Sequence, residues 1–468
     1  MPTRRRFLTT VPAVLAAAQV SRSDLQAQTS AGSAVAAWLT PYQRDVQRLV
    51  DASVGSTAAW DRLAELCDTF GGRLTGTRNL QLACEWAAET MRGDGLENVR
   101  LEKTMAPHWV RGEESLAIET PVRSPLVMLG LGGSVGTPAG GITAPLIVVR
   151  SFDELNKRAS DVPGRVVLYD VPFTSYGQTV AYRANGAINA ARHGAVAVLV
   201  RSVGPIGLRT PHTGAVSYLQ GTPQIPAAAL PVEDSQRLAR LAARGVPVTV
   251  TLRMAAATLP DVESANVIGE VTGRERADEI VVVGGHFDSW DAAVGASDDG
   301  VGCIVTWEAA RLMKKLGLHP RRTVRVVLFT NEENGLRGAT AYRDGYVASA
   351  SKHVMALESD IGVFEPMRLG FSGNERARQM MADVVDLLQP LGFPPLGPGG
   401  GGADIGPIAQ AGQVPTMALA GDAARYFQIH HTPADTVERI DPKEMAKAAA
   451  AIAVVTWMAA EMETPLPR

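Results

Sequence analysis

The feature that most constrains the fold is a regular alternation, from Ser264 onward, of short β-branched runs with amphipathic stretches. The run Ile280–Val283 has no polar break, as expected of a strand that is covered on both faces. Two glycines end this run, and His286 and Asp288 follow them. Strands that alternate with helices predict an α/β fold in which a mostly parallel sheet lies between two helical layers, an αβα sandwich.

Ionisable residues follow the ends of predicted elements at four further places in this half of the chain. They are Asp298 and Asp299 in GASDDGVG, Glu332 and Glu333 in TNEENG, Glu358 and Asp360 in ESDIG, and His430, His431 and Asp435 in YFQIHHTPADT, which is predicted to be extended. The carboxyl ends of parallel strands meet at one edge of a sheet, where ligands bind in open α/β folds. The sequence therefore predicts one crevice that holds imidazoles and several carboxylates.

So many carboxylates cannot share a small crevice as bare charges, because like charges and burial both raise a carboxyl pKa. A divalent cation resolves this conflict. Imidazole and carboxylate ligands without thiolate suit zinc, with manganese or cobalt as substitutes. Five ligands are too many for one tetrahedral catalytic zinc that keeps a water, so two ions that share a carboxylate, ~3.5–4 Å apart, fit better. Of the adjacent acids Glu332 and Glu333, one can bind metal while the other acts as general base.

The motifs GGHFDSWD, GASDDGVG, TNEENG, ESDIG and HHTPADT, in this order, resemble those of the di-zinc exopeptidase family that holds bacterial aminopeptidases and glutamate carboxypeptidases. The resemblance runs from about Arg44 to the C-terminus and is specific as a set, although each motif alone is weak. It implies a zinc-exopeptidase-like αβα fold, two zinc ions per chain and an inserted protease-associated domain. Because relatives often form dimers, it also leaves a homodimer open.

The resemblance also implies a role for each site residue. His286 and Asp360 would bind the first zinc, Glu333 and His431 the second, and Asp298 would bridge the two. Glu332 would be the general base of the catalytic reaction, in which the ions activate a water. His431 is chosen over His430 because the family pattern His-Thr-x-x-Asp-Thr begins at His431.

Further polar residues are predicted to support these ligands. Asp288, counted with the catalytic residues, would accept the ring N–H of His286 and fix its tautomer. Asp435 would orient His431 in the same way. In the glycine-rich run GPGGGGADIGP, Asp404 would bind the free amino group of a substrate, against the alternative of a plain flexible loop. The remaining two acids have structural interpretations, Asp299 as a turn or cap residue and Glu358 as a supporting acid.

The chain divides into three parts by composition. Residues 1–27 begin with basic residues, including the pair Arg4–Arg5, and continue into a short apolar run, which predicts a twin-arginine export signal. Residues 36–120 and 259–468 form the predicted peptidase domain. Residues 121–258, rich in glycine, proline and alanine with short strands, form the predicted insertion. The protein is therefore expected to be periplasmic or secreted.

Overall composition excludes several classes of partner. The 468 residues carry a formal net charge of −3 without a basic stripe, so no nucleic-acid partner is expected. No membrane contact is expected after signal removal, because no other segment approaches spanning length. The 3 cysteines are too few for a disulfide framework. Buried free thiols are predicted, although a Cys67–Cys84 bridge stays open.

The predicted activity is hydrolysis of dipeptides or short peptides by a zinc exopeptidase. Two other classes stay open, a hydrolase of another small amide such as an acylamino acid, and a non-catalytic binding protein on the same scaffold. Cyclisation of an N-terminal glutamine is disfavoured by Glu333, since cyclising relatives use a single zinc. The sequence does not decide between amino-terminal, carboxyl-terminal and dipeptide preference, but the length of the insertion suggests a roofed site for small substrates.

Overall fold

The computed structural model describes residues 36–468, so the predicted export signal at residues 1–27 lies outside the described residues. Strands of this region form two 8-stranded sheets. The first sheet has the order β1-β10-β12-β11-β13-β16-β14-β15, and the second sheet has the order β3-β2-β9-β5-β6-β7-β8-β4, with the bounds given below. Within residues 36–468, no helix is both long enough and apolar enough to cross a membrane.

The elements have the following bounds, with short 3₁₀ and π turns between several of them. The strands are β1 Glu97–Val110, β2 Glu114–Thr120, β3 Ser124–Leu126, β4 Leu129–Gly130, β5 Ile142–Val149, β6 Val166–Tyr169, β7 Ala197–Arg201, β8 Ala227–Leu230, β9 Thr249–Met254, β10 Ala257–Val271, β11 Arg276–His286, β12 Arg322–Phe329, β13 His353–Ile361, β14 Arg368–Ser372, β15 Gly397–Pro398 and β16 Thr416–Ala420. The helices are α1 Gln43–Val54, α2 Ala58–Phe70, α3 Arg78–Gly93, α4 Phe152–Lys157, α5 Tyr176–Ala191, α6 Val232–Ala243, α7 Val301–Lys315, α8 Arg337–Tyr346, α9 Glu375–Asp386, α10 Gly406–Gly412, α11 Ala423–Ile429 and α12 Pro442–Glu461.

The centre of the first sheet is parallel, as predicted, and its flanks are not. Strands β12, β11, β13 and β16 pair in parallel, whereas β10 and β14 pair antiparallel with β12 and β16. An apolar run indicates that a strand is buried but not the direction of that strand, so the sequence could not reveal the antiparallel flanks. The parallel centre brings the carboxyl ends of its four strands to one edge of the sheet.

Two almost wholly buried helices, α7 and α12, pack against the first sheet and against each other. The alanine-rich sequence of α12 removes side-chain bulk, which lets its backbone approach its neighbours closely. Pro442 stands at its first turn, and the Asp441 carboxylate accepts from the N–H groups of Lys443 and Glu444, so this helix begins with a well-formed cap. The helical layer supports the sheet, at whose carboxyl edge the strands end in polar residues.

The second sheet occupies the predicted insertion, with slightly different limits. It begins at β2, before the predicted boundary at 121, and ends with β9 at Met254, before the predicted boundary at 258. Leu116 of β2 pairs with Leu252 of β9 in an antiparallel register. The prediction that β2 belongs to the peptidase domain was wrong, because its apolar alternation shows that it is a strand but not which sheet it joins.

The segment YFQIHHTPADT is also different from its prediction. It was expected to be extended, but its first residues complete α11, which ends at Ile429. The Asp422 side chain accepts from the Ala424 N–H at the start of this helix, so a cap overrides the strand preference of the aromatic residues. The predicted free thiols are confirmed, since Cys67, Cys84 and Cys303 are all buried and unpaired.

Candidate metal centre

Five elements deliver the predicted ligands to the carboxyl edge of the first sheet. They supply His286 at the end of β11, Asp298 in the turn before α7, Glu333 after β12, Asp360 at the end of β13 and His431 after α11. Two groups of donors each have their ligand atoms within 4.8 Å of one another, namely His286, Asp298 and Asp360, and Asp298, His430 and His431. The crevice that the sequence predicted is therefore present in the structure.

Asp298 lies at the centre of this cluster, with one carboxylate oxygen towards each of two imidazoles. Its Oδ1 is 3.3 Å from His286 Nε2, and its Oδ2 is 3.2 Å from His431 Nε2. A second carboxylate flanks each imidazole, since Asp360 Oδ1 is 3.2 Å from His286 Nε2 and Glu333 Oε2 is 3.1 Å from His431 Nε2. The cluster thus consists of two similar halves that share one carboxylate.

The charges of the cluster are unbalanced without cations. Burial, opposed by His431 and reinforced by the charge of Asp298, raises the pKa of Glu333 to about 7. Burial, opposed by His286 and reinforced by Asp360 and Glu333, raises the pKa of the neighbouring Glu332 to about 8. Burial also tends to raise the pKa of Asp298, but the surrounding histidines outweigh it and hold this pKa well below its usual range.

A divalent cation fits this donor set. Asp298 Oδ2 is buried and has no hydrogen bond of acceptable geometry within residues 36–468. An unpaired buried carboxylate oxygen is unfavourable, and a metal ion satisfies it directly. Nitrogen and oxygen ligands within 4.8 Å of one another, with no thiolate among them, are the donors that zinc prefers when imidazole is present.

The structure brings both histidines of the pair His430–His431 close to the cluster. Their rings stack at 3.6 Å, and His430 Nε2 is 3.6 Å from Asp298 Oδ2, a longer distance than that of His431. His431 Nδ1 faces the carbonyl of Thr213 at 3.3 Å, whereas His430 Nδ1 has no partner among the described residues. Metal-bound histidines usually donate their second ring N–H to an oxygen, so the geometry favours His431.

Two supporting contacts differ from those expected. His286 Nδ1 lies 2.9 Å from the backbone carbonyl of Asp288, not from its carboxylate. The Asp288 carboxylate instead accepts from the backbone N–H groups of Glu332 and Glu333, at 3.0 and 3.4 Å. Asp288 therefore fixes the loop that carries both glutamates, because its carboxylate points across the crevice to the end of the neighbouring strand.

Asp435 also contacts different groups from the one expected, which was the ring of His431. Its carboxylate oxygens accept from the N–H groups of Ser297 and Asp298, at 2.7 and 3.1 Å. The prediction that Asp435 orients His431 was wrong because the ring Nδ1 of His431 turns away from it, towards Thr213 in the second sheet's domain. Asp435 thus positions the shared carboxylate of the cluster through the backbone.

The other acids of the site have structural roles. Asp299 accepts from the N–H groups of His286 and Gly302, each at 3.1 Å, and so ties the end of β11 to the start of α7. Glu358 Oε2 accepts from the N–H groups of Asp404 and Ile405, at 3.0 and 2.8 Å, and fixes the end of the glycine-rich loop. The Asp404 carboxylate is buried without a partner among the described residues.

Three residues of the second sheet's domain reach this centre, and the sequence did not reveal them. Thr213 contacts His431 with both backbone groups, Arg183 Nη1 is 3.3 Å from His431 Nδ1, and the Tyr176 ring lies edge-on to His430. One signal was available for Arg183, because it occupies the apolar stripe of α5 together with Thr179 and Ala187. A charged residue on a buried stripe indicates a specific partner.

The fold and the donor set together define a metal-dependent hydrolase on an α/β scaffold. Residues 266–456 match the model of Peptidase family M28. Carboxypeptidase Q of Mus musculus is 46% identical over 410 residues, which are 88% of this chain and 87% of that relative.

Solved structures show the same relationship. A peptidase M28 precursor from Shewanella amazonensis superposes with a TM-score of 0.88 at 33% identity, over 91% of this chain and 98% of that chain. A zinc aminopeptidase from Bacillus subtilis shares the fold, with a TM-score of 0.67 at 22% identity over 87% of this chain and 96% of that chain. The chain therefore belongs to peptidase family M28, as the motifs predicted. It is a metallopeptidase of the exopeptidase class, similar to carboxypeptidase Q.

Proposed function

We propose that this protein is an exported di-zinc exopeptidase that hydrolyses dipeptides or very short peptides. One observation carries the proposal of two ions. The two oxygens of Asp298 face His286 and His431 at 3.3 and 3.2 Å, and each imidazole has a further carboxylate beside it. This arrangement supports two adjacent sites with one shared ligand, as in other two-metal hydrolases.

The ligands of the proposed sites follow from the two halves of the cluster. His286 and Asp360 would hold one ion, Glu333 and His431 the other, with Asp298 shared. Zinc ions in such sites supply Lewis-acid chemistry, which polarises a carbonyl and acidifies water. The carboxylates and imidazoles named above would hold these ions beside the cavity that Glu332 also lines.

Glu332 is the proposed general base. Its backbone N–H donates to the Asp288 carboxylate at 3.0 Å, and this contact holds the backbone from which the side chain extends. The Glu332 side chain lines the cavity. In the proposed reaction, the carboxylate takes a proton from the attacking water at Oε1 or Oε2. It then gives the proton to the nitrogen of the leaving amine, so a single group acts as base and then as acid.

The preference for short substrates rests on the size of the cavity. Its volume is about 220 Å³, and residues of both domains line it. Tyr176 and Arg183 come from the second sheet's domain, opposite Glu332 and Asp360 of the first. A cavity of this volume, with walls from both domains, favours a dipeptide over a long chain. The proposed periplasmic or secreted location rests on the export signal that the sequence of residues 1–27 predicts.

Metal content and peptide hydrolysis, measured together, test the proposed function. Purified mature protein is analysed for zinc by elemental analysis and assayed on a dipeptide panel, beside Glu332→Gln. We expect two zincs per chain in both proteins, and a loss of kcat of about 10²–10⁴-fold in Glu332→Gln, because the proton acceptor is removed. Glu154→Gln, at a half-buried glutamate that pairs with Arg158 and does not line the cavity, serves as the control and should keep its activity.

Each departure from this result has a distinct meaning. One zinc per chain would contradict the shared role of Asp298. Two zincs without cleavage of any dipeptide would contradict the peptidase activity and favour hydrolysis of another small amide. Absence of both zinc and cleavage would favour the non-catalytic binding protein.

A further inference from the structure

A fully buried arginine contacts the loop that joins two of the proposed metal ligands. This loop, residues 287–295, runs from His286 at the end of β11 towards Asp298 and is called the ligand loop below. Arg73 belongs to a distant segment of the chain, just after α2, and its side chain is 0% exposed. Because Arg73 does not line the cavity that Glu332 lines, it acts on the loop and not on a substrate.

The guanidinium of Arg73 binds both ends of the ligand loop. Its Nε donates to the carbonyl of Phe287 at 2.9 Å, directly after the ligand His286. Its Nη1 and Nη2 donate to the carbonyls of Val294 and Gly295, at 2.5 and 3.1 Å. One rigid, planar group thus connects the first residue of the loop to its last two, and the fixed shape of the group sets the distance between them.

The backbone around Arg73 supports this contact. The Arg73 backbone N–H donates to the Ser289 hydroxyl at 3.0 Å, and the Ser289 N–H donates back to the Arg73 carbonyl at 3.3 Å. Gly72 lies so close to the loop that a Cβ there would be 2.8 Å from the carbonyl oxygen of Ala293. A glycine permits such a close approach of two backbones. The two segments are therefore in backbone contact at the point where the guanidinium enters the loop.

The charge of Arg73 has no counter-charge in its immediate surroundings. Within residues 36–468, no carboxylate lies within 4.0 Å of its guanidinium nitrogens, and every acceptor of the guanidinium is a backbone carbonyl. By contrast, the fully buried Arg322 pairs with Glu279 at 2.6 Å. A well-packed apolar side chain in place of Arg73 would serve stability as well or better, so the guanidinium is explained by the shape that it gives the loop.

Without such contacts the ligand loop would adopt many shapes. Asp298 follows His286 by 12 positions, and a chain of that length can extend to about 40 Å. In the structure, Oδ1 of Asp298 is 3.3 Å from Nε2 of His286. A loop that became ordered only on metal binding would lower the metal affinity by the entropy of ordering it. Arg73 orders the loop through backbone carbonyls and leaves the ligand atoms free for the metal.

We propose that Arg73 is a positioning residue that pre-organises the ligand loop, so that His286 and Asp298 already lie at ligand distance in the metal-free enzyme. The inference rests on the proposed di-zinc site and adds a residue that the metal does not touch. The main effect falls on the ion held by His286, Asp298 and Asp360, because both ends of the loop lead to ligands of that ion. The other ion shares Asp298 but takes its remaining ligands from other segments.

Zinc affinity, measured by competition with a chelator on the folded protein, tests this inference. Arg73→Lys keeps the charge but cannot reach both ends of the loop, since an ammonium is a single point and not a fork. We expect the affinity for one of the two zinc ions to fall by about 10–100-fold, as when other supporting contacts of metal ligands are removed. The affinity for the other ion should change much less.

A spectroscopic measurement separates positioning from stability. Cobalt(II) binds the same nitrogen and oxygen donors as zinc, and its visible absorption depends on the coordination geometry. We expect the cobalt-loaded Arg73→Lys protein to have an altered absorption spectrum, because the loop presents His286 and Asp298 at other angles. A residue that only stabilised the fold would leave the spectrum of the folded protein unchanged.

Arg322→Lys is the matched control. Arg322 is equally buried and binds two backbone carbonyls besides Glu279, at the end of β12 opposite to Glu332. Its substitution should lower the free energy of unfolding of the metal-free protein but leave zinc affinity and the cobalt spectrum as in the wild type. Equal losses of zinc affinity in Arg322→Lys and Arg73→Lys would overturn the proposal, because any loss of stability would then weaken the site.

Gly72→Ala tests the same contact without changing the guanidinium, in case Arg73→Lys does not fold. The new Cβ would displace the ligand loop at Ala293 and should weaken the same zinc ion. Gly93→Ala, with open space around its Cβ, is the control for this substitution. Wild-type zinc affinity and a wild-type cobalt spectrum in folded Arg73→Lys, or in Gly72→Ala where the former does not fold, would overturn the role of Arg73.

The failures of the two proposals are distinguishable, because the affinity measurement needs no substrate. A wild type that binds two zinc ions and cleaves no dipeptide contradicts the proposed peptidase activity, and the role of Arg73 is still decided by the affinities. A wild type that binds one zinc ion per chain contradicts the two-ion site. Arg73→Lys should then weaken that single ion, and an unchanged affinity would overturn the role of Arg73 as well.

Discussion

Buried acids are balanced in different ways at two places in the molecule. In the second sheet a buried acid is paired, as Asp170 at the end of β6 is with Arg201. At the carboxyl edge of the first sheet, Asp298 and Glu333 face imidazoles and other acids instead. At Asp170 a neighbouring guanidinium balances the charge within the chain, whereas the cluster around Asp298 has the donors of a cation site.

The largest expected effect is that of Asp298→Asn, which removes the shared carboxylate. We expect the zinc content to fall below two per chain and kcat/KM to fall by about 10³-fold or more, since metal assistance contributes several kcal/mol. Asp170→Asn is the matched control in the second sheet. It should keep zinc and activity but lower the free energy of unfolding, because it leaves Arg201 buried and unpaired. If Asp170→Asn lost zinc, or Asp298→Asn kept two, the comparison between the sheets would fail.

A smaller effect is expected from Gly214→Ala, which tests whether the second sheet's domain supports the metal centre. The new Cβ would collide with Arg183 at a φ that an alanine rarely adopts, and would displace the carbonyl of Thr213 that faces His431. Loss of such a partner of a metal ligand typically reduces metal affinity or activity by about 10–100-fold. Zinc affinity is measured by titration, and activity is measured by dipeptide kinetics. Gly221→Ala, at a φ of 81° with open space around its Cβ, is the control for backbone strain alone.

The smallest expected effect concerns the opposite end of the first sheet. His353 begins β13, and burial together with the charge of Arg325 lowers the pKa of His353 to about 4. Between its ordinary pKa of 6.5 and about 4, the unfolded chain binds a proton that the folded chain does not. The contribution of neutral His353 to the free energy of unfolding is therefore fully present above pH 6.5 and is lost as the pH falls towards 4.

His353→Gln tests this dependence by denaturant unfolding of the metal-free protein at several pH values. The slope of the unfolding free energy against pH in this window should be smaller than in the wild type, by about 1.4 kcal/mol per pH unit. Zinc content and dipeptide hydrolysis at neutral pH should not change. Parallel pH curves for variant and wild type would show that His353 is not buried as a neutral base.

Much of the fold and the metal centre could be predicted because their signals are local. Runs such as Ile280–Val283 mark buried strands, and each of five short motifs carries its own ligands beside a strand or helix end. Parallel pairing then implies that the ligands meet. The helix α11 was missed because one capping contact from Asp422 outweighs the strand preference of its residues.

Contacts between distant segments could not be predicted in this way. Nothing in the sequence favours the loop of Glu332 over the ring of His286 as the partner of the Asp288 carboxylate, since a carboxylate at a strand end can accept from either. The same holds for Asp435, whose actual partners are the N–H groups of Ser297 and Asp298. Such choices depend on small differences in backbone position between segments that are distant in the chain.

The sequence by itself determined the class of fold, the candidate ligands and the family, because periodicity and motif chemistry are properties of short segments. The tertiary structure decided the rest of the site, above all the contact of Arg183 with His431 across 248 positions of the chain. Local propensity carries no information about such a pair. The packing of one domain against the other places an arginine from a helix of the second sheet's domain on the wall of the cavity, beside the proposed metal ligands.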